Sequence, residues 1–171
     1  MFGVNAATGA ESFLYSFHEN PQLPDGTNPW AGVIYRGDYL YGTTYYGYNE
    51  NGISYYGVVF KLDPDSGDES LLYSFKGDAD GGFSFPGVLD RRRDLYGIGS
   101  FAGQGNCGGS GCGVVFKVDS RTGKEAVLHS FTGNGDGGNP EAGLTYDNGA
   151  FYGTTFDGGT SDAGTVFKLV P

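Results

Sequence analysis

One set of motifs returns three times along this chain in the same order, and that return limits the fold more than any single residue does. Val-Phe-Lys-Leu/Val stands at Val59–Leu62, Val115–Val118 and Val166–Leu169. Leu-Tyr/His-Ser-Phe stands at Leu14–Phe17, Leu72–Phe75 and Leu128–Phe131. Leu/Phe-Tyr-Gly stands at Leu40–Gly42, Leu95–Gly97 and Phe151–Gly153. A partial fourth copy, Phe2-Gly3-Val4-Asn5, opens the sequence. The Phe-to-turn-Gly distance is seven residues in Phe2/Gly9, Phe60/Gly67 and Phe116/Gly123. A repeat of roughly 56 residues is the size of one supersecondary unit stacked on its neighbours.

Each unit holds four strand candidates. Gly32–Tyr35, Gly87–Asp90 and Gly143–Tyr146 come first, and a tight turn such as Asp147-Asn148-Gly149 leads to Tyr39–Thr44, Asp94–Gly99 or Ala150–Thr155. A Gly-rich loop leads to Gly57–Asp63, Gly113–Asp119 or Gly164–Val170, and a second turn to Glu69–Phe75 or Glu125–Phe131, with Glu11–Phe17 as a further copy of that fourth strand. Apolar spacing of helical type is missing and glycine, 33 residues in all, is spread throughout. The expected fold is therefore all-β: a β-propeller of three four-stranded blades per chain, completed by oligomerisation. One repeat domain, 1–171, would hold blade 1 at 31–75, blade 2 at 86–131, and blade 3 at 142–170 completed by strand 11–17. A β-trefoil, also three-fold, is the alternative.

The run Asp136-Gly-Gly-Asn-Pro-Glu-Ala-Gly-Leu144, with Phe151-Tyr-Gly-Thr-Thr155 and Gly164-Thr-Val-Phe-Lys-Leu169, resembles the GloVer-type (Gloeobacter/Verrucomicrobium-type) bacterial tandem repeat. The second copy departs from that pattern, with Phe83-Ser-Phe-Pro86 for Asn-Pro-x-Ala and Ile98-Gly99 for Thr-Thr. The resemblance implies an extracellular β-repeat array and supplies no catalytic residue. The turn between strands three and four also resembles quinoprotein-type repeats, but Tyr15, Tyr73 and His129 stand near the place of their Trp, so quinone chemistry is not implied.

Net charge is −10. Such a surface repels phosphate backbones, which argues against a nucleic-acid partner. No run of 18 apolar residues exists to insert in a membrane. Met1 is followed at once by Phe-Gly-Val-Asn with no signal-peptide pattern, so the expectation is a processed form, an excised piece or a cytoplasmic product. Cys107 and Cys112 bracket four small residues and are expected to close a disulfide, which favours an oxidising compartment and an extracellular or cell-surface location.

In a four-strand meander the second-to-third loop and the link between units lie on one face. That face gathers Trp30, Tyr45, Tyr46, Tyr48, Tyr55 and Tyr56, and exposed aromatics beside Asn and Asp suit sugar stacking with hydroxyl hydrogen bonds. Asp25, Asp80 and Asp136 each precede Gly and stand seven residues before the Gly that opens a first strand. They read as repeated Asx-turns. The other reading is calcium, because Asp78 with Asp80, and Asn134 with Asp136, put oxygen ligands at alternate positions. No other cofactor is expected. Arg36-Gly37-Asp38 is explained by a hairpin turn. His18 and His129 fall at different repeat positions, and no nucleophile-elbow motif is present.

The sequence thus favours a non-enzymatic extracellular binding or scaffold module, with glycan the leading ligand class. The alternatives are a self-assembling surface protein or filament subunit, and a glycan-cleaving propeller enzyme. Its expected partner is itself, as a homodimer forming a six-bladed ring or as a filament.

Overall fold

Tight turns set the strand boundaries. Asn5, Asp63 and Asp119 each accept two backbone N–H groups on the side-chain Oδ1, from Ala7 and Thr8, Asp65 and Ser66, and Arg121 and Thr122, at 2.8–3.1 Å. The amides of Ser66 and Asp65, and of Thr122 and Arg121, hold the Asp63 and Asp119 carboxyls below the usual range. Each turn then closes on Gly9, Gly67 or Gly123 at φ 70°, 78° and 69°, the left-handed region that glycine enters without penalty. This is why Phe and turn Gly keep a constant spacing.

A computed structural model describes residues 1–18, 25–47 and 56–171. The described residues form thirteen strands and no helix. β1 (Phe2–Val4) and β2 (Glu11–Phe13) make an antiparallel hairpin. β3 (Ile34–Arg36), β4 (Tyr39–Thr43), β5 (Val58–Leu62) and β6 (Glu69–Ser74) form the first four-stranded sheet, in chain order. β7 (Val88–Arg91), β8 (Asp94–Gly99), β9 (Val114–Asp119) and β10 (Glu125–Ser130) form the second. β11 (Thr145–Asp147), β12 (Ala150–Thr155) and β13 (Thr165–Leu169) form a third sheet of three strands. No strand of one sheet pairs with a strand of another among the described residues, so the repeats do not share the barrel that the trefoil alternative requires. Within the single chain, strand 11–17 enters only the hairpin, where β2 pairs with β1.

The three motifs turn out to be parts of one contact. Gly42, Gly97 and Gly153 lie directly opposite Phe60, Phe116 and Phe167 on the neighbouring strand. Each Phe ring lies over its glycine: a Cβ at those glycines would sit 2.6, 2.4 and 2.5 Å from the ring Cζ. The exposed edge of each ring then receives the last Phe of the preceding unit. Phe17–Phe60, Phe75–Phe116 and Phe131–Phe167 meet edge-on at 5.1, 4.9 and 5.1 Å, a geometry favoured by the ring quadrupole.

The apolar core is accordingly made between sheets. Tyr41, Val59 and Phe75 of the first sheet pack with Val88, Leu95, Val114, Phe116 and Val118 of the second. Val58, Phe60 and Leu62 pack under Leu14, Tyr15 and Phe17. Val115 and Phe131 pack with Leu144, Phe167 and Leu169 of the third. Arginines from the first hairpin turns bridge the same junctions: Arg36 pairs with Asp90 at 3.0 Å, and Arg91 lies 4.0 Å from the Tyr146 ring centroid. The Arg36-Gly37-Asp38 turn is thus occupied in holding two sheets together.

Cys107 and Cys112 form the expected disulfide. It fills the space that Gly133 and Gly138 leave, where a Cβ would meet Cys107 Sγ at 2.5 and 2.6 Å. Replacing both cysteines by serine is expected to cost about 2 kcal/mol through the entropy of so short a loop. Buried Cys112 adds the penalty of placing a hydroxyl in the core. Thermal melting checks this, and an unchanged midpoint would mean that the bridge constrains nothing.

Candidate functional site

The link into each sheet begins with a residue in the left-handed region. Asn28, Phe83 and Asn139 occupy the same repeat position, at φ 59°, 53° and 49°. Asparagine enters this region readily, whereas a bulky aromatic does so at a cost of roughly 1–2 kcal/mol. Phe83 offsets that cost by ring contacts: Tyr45 at 4.9 Å, Tyr56 at 5.2 Å, Phe101 at 5.9 Å and Tyr46 at 6.1 Å.

Two residues further on, the same register brings Trp30, Phe85 and Glu141 to equivalent places. Trp30 stacks on Tyr45 at 4.5 Å and 22°, and on Phe85 at 5.3 Å and 27°. Tyr45 is fixed behind it by backbone pairing, since its N–H donates to Asn28 O at 3.0 Å and Tyr46 N–H donates to Thr27 O at 3.2 Å. Trp30 remains 58% exposed over this support. Burial, then Tyr46, then the Glu141 carboxylate push the Tyr45 hydroxyl upward, so a charge on the link into the third sheet is felt at the aromatic group. The result is an indole platform stacked on two rings, with the Glu141 carboxylate within electrostatic reach of the Tyr45 hydroxyl. Such a platform can take the apolar face of a pyranose ring, and the carboxylate can accept from its hydroxyls.

Trp30, Tyr45 and Tyr46 are in ring contact with one another through Tyr45. Tyr56 lies beside them on Phe83, in the wall of a cleft of about 450 Å³ shared with Gly103, Ser110 and Gly111. Tyr48 and Tyr55 lie outside the described residues. Sequence reasoning passes over Phe83, Phe85 and Glu141. Aligning the repeats on Ala31, Pro86 and Ala142 would have found them: three residues back lie Asn28, Phe83 and Asn139, and one residue back lie Trp30, Phe85 and Glu141.

A second cleft, about 430 Å³, opens between the disulfide loop and the third sheet, lined by Asn106, Asn134, Asn139, Asp157 and Asp162 among others. Asn139 Nδ2 donates to Asp157 Oδ2 at 2.7 Å, which holds this wall in place.

The repeated acids lie elsewhere, in the links that follow the fourth strands. Asp25 Oδ2 accepts from Tyr15 Oη at 2.7 Å and from His18 N at 3.1 Å. Asp80 Oδ2 accepts from Tyr73 Oη at 2.8 Å and from Lys76 N at 2.9 Å. Asp136 accepts from Thr132 N at 3.1 Å and faces His129 Nε2 at 3.3 Å. One acid thus ties the aromatic residue of the fourth strand to the link that follows it, three times over. These donors take one carboxylate oxygen of Asp80 and both of Asp136. Asp78 and Asn134 contribute main-chain carbonyls to their loops, to Gly103 N at 2.8 Å and Gly137 N at 3.1 Å. Among the described residues no three His, Cys, Asp or Glu side chains gather as a metal site.

The other oxygen of two of these acids is left over. Asp25 Oδ1 and Asp80 Oδ1 are buried without a hydrogen bond, and so are Glu69 Oε1 and Glu125 Oε1, at the start of the next sheet's fourth strand. Burial, followed by the charge of Asp25 or Asp80, pushes each glutamate up to about 7. Burial and the same aspartates also raise the hydroxyls of Tyr15 and Tyr73.

A family model described as Gloeobacter/Verrucomicrobia repeat matches residues 1–171. Among solved structures, the crystal structure of TolB from Acinetobacter baumannii is similar over 77% of this chain at 16% identity and a TM-score of 0.43. The chain spans 26% of that protein's length. No curated protein matches.

Proposed function

The chain belongs to the Gloeobacter/Verrucomicrobia repeat family, and we propose that its repeats are blades of a β-propeller that presents a glycan-binding platform outside the cell. The meander order of the sheets supports the propeller reading, in which each first strand would be innermost and the links before it would lie toward the axis. The observation that carries the binding reading is Trp30, held flat by Tyr45 and Phe85 and yet mostly open to solvent. A large exposed aromatic on a rigid support is a feature that folding alone does not favour. The Cys107–Cys112 bridge supports an oxidising, extracellular setting.

The reading is of binding without cleavage. Glycoside hydrolysis needs two carboxyls roughly 5–9.5 Å apart across the scissile bond. Among the described residues Glu141 is the acid whose charge reaches the Tyr45 hydroxyl, while Asp25/Glu69 and Asp80/Glu125 pair where a fourth strand begins and are at least half-buried.

A glycan array followed by product analysis tests this. The wild-type chain is expected to retain a defined glycan set unchanged. Trp30→Ala should weaken retention about tenfold or more, equivalent to about 1.4 kcal/mol or more, with the fold intact because the side chain is largely outside the core. Release of sugar would favour the glycan-cleaving alternative, and an array without hits would remove glycan as the ligand.

A further inference from the structure

Repeats make missing contacts visible, because each position has counterparts whose surroundings are known. Val59 of β5 and Val115 of β9 are fully buried, each beneath the following sheet. Val166, their counterpart in β13, is 80% exposed. Tyr41 and Tyr96 are buried, but Tyr152 at the same place is not. Thr43 and Ile98 are buried, and Thr154 is exposed. The third sheet therefore carries the residues of an inter-sheet face with no sheet upon it. Its outer edge is open too: β13 stands where β5 and β9 each hold a fourth strand.

The opposite end of the molecule holds what is lacking. In the first sheet Phe60 lies opposite Leu71 and Leu62 opposite Glu69; in the second, Phe116 lies opposite Val127 and Val118 opposite Glu125. The hairpin keeps the same register, with Phe2 opposite Phe13 and Val4 opposite Glu11. It even keeps the irregularity at Leu72 and Leu128, since Leu14 N and Tyr15 N both donate to Met1 O. Strand 11–17 is thus a fourth strand in sequence and register. It is paired with a three-residue β1 whose counterparts of Phe60 and Leu62, Phe2 and Val4, are mostly exposed.

We propose that the open face and edge of the third sheet dock a second copy of this chain, whose strand 11–17 leaves β1 and adds to β13. The second copy's first sheet, which already packs on its own Leu14, Tyr15 and Phe17, then covers Tyr152, Thr154 and Val166. The exchange replaces the three residues of β1 by the five of β13 as pairing partner and buries an apolar face. Register assigns Phe13 to Phe167, Ser12 to Lys168 and Glu11 to Leu169. It also brings Glu11 toward Asp136, as Glu69 stands toward Asp25 and Glu125 toward Asp80. The proposal does not depend on glycan binding.

Light scattering on the 171-residue chain at micromolar concentration reads the outcome. A mass about twice 18.0 kDa is expected if two copies exchange strands both ways, and a larger head-to-tail species also supports the contact. A monodisperse 18.0 kDa species overturns it. Val166→Asp should yield monomers with an unchanged far-UV circular dichroism spectrum, as the side chain is exposed within one copy. Association that survives this change places the contact elsewhere and overturns the proposal. Ser12→Cys combined with Lys168→Cys should give chains disulfide-linked to one another under mild oxidation. Failure of that cross-link in the associated species contradicts the register.

Discussion

Phe116→Ala is expected to lower unfolding free energy by about 4 kcal/mol, within the usual range for a buried Phe→Ala change. Phe116 is fully buried, lies over Gly97 and takes the edge of Phe75. Once the ring is gone, its floor is a glycine with no side chain that could move into the space, so the cavity persists and the cost stays at the high end. Gly97→Ala works from the other side: its Cβ would stand 2.4 Å from the Phe116 Cζ, an overpacking that costs about 1–3 kcal/mol. The two changes act on one site, so together they should cost less than their sum. Phe167→Ala should cost less, since Phe167 is only partly buried. Urea unfolding of the set measures all of this. A loss below about 1 kcal/mol for Phe116→Ala would show that the ring over glycine is not what the repeat preserves.

Stability should rise as pH falls from about 8 to about 5, opposite to a protein whose acids are mostly salt-bridged. Glu69 and Glu125 carry folded-state values of about 7 against 4.5 for the free side chain. A raised folded value means that the native state binds the proton more tightly. The contribution is full below the unfolded value and is lost as pH rises through 7. The groups facing Glu69 are Asp25 and Tyr15, and those facing Glu125 are Asp80, Lys76 and Tyr73. Solvent still reaches both glutamates, which reduces each contribution to about 1 kcal/mol. Below about pH 4 the trend reverses, as Asp63, Asp119 and Asp136, held low by their N–H and O–H donors, take up protons. Glu69→Gln with Glu125→Gln should flatten the curve between pH 5 and 8. An unaltered slope in that variant would remove these glutamates as its origin.

The regular part of this fold was legible because its causes are local. Asp or Asn at the head of a turn, Gly at its left-handed end and alternating apolar strands all leave marks in sequence, and the strands of the three sheets follow from them, as the disulfide follows from the close spacing of Cys107 and Cys112. The meaning of the motifs was less legible. Gly42 and Phe60 are far apart in sequence, and only strand register shows that one exists to make room for the other. The repeated aspartate is a Tyr/His tether as well as a turn residue, which needed the fourth strand to be placed against the link after it. At the site, Trp30 and Tyr45 stood out as exposed-loop aromatics. Phe85 and Glu141 did not, because their role comes from occupying the same place as Trp30 in two other sheets. Phe83 looked like a departure from the repeat pattern, and it is the strained support of the cluster.

Trp30 is the chain's single tryptophan, so its fluorescence reports the proposed binding platform and nothing else. On titration with a glycan retained by the array, the account predicts a saturable shift of the emission to shorter wavelength and protection from acrylamide, as the sugar takes the place of water on the open indole face. Saturable glycan binding that leaves the Trp30 emission and its acrylamide quenching unchanged would contradict it.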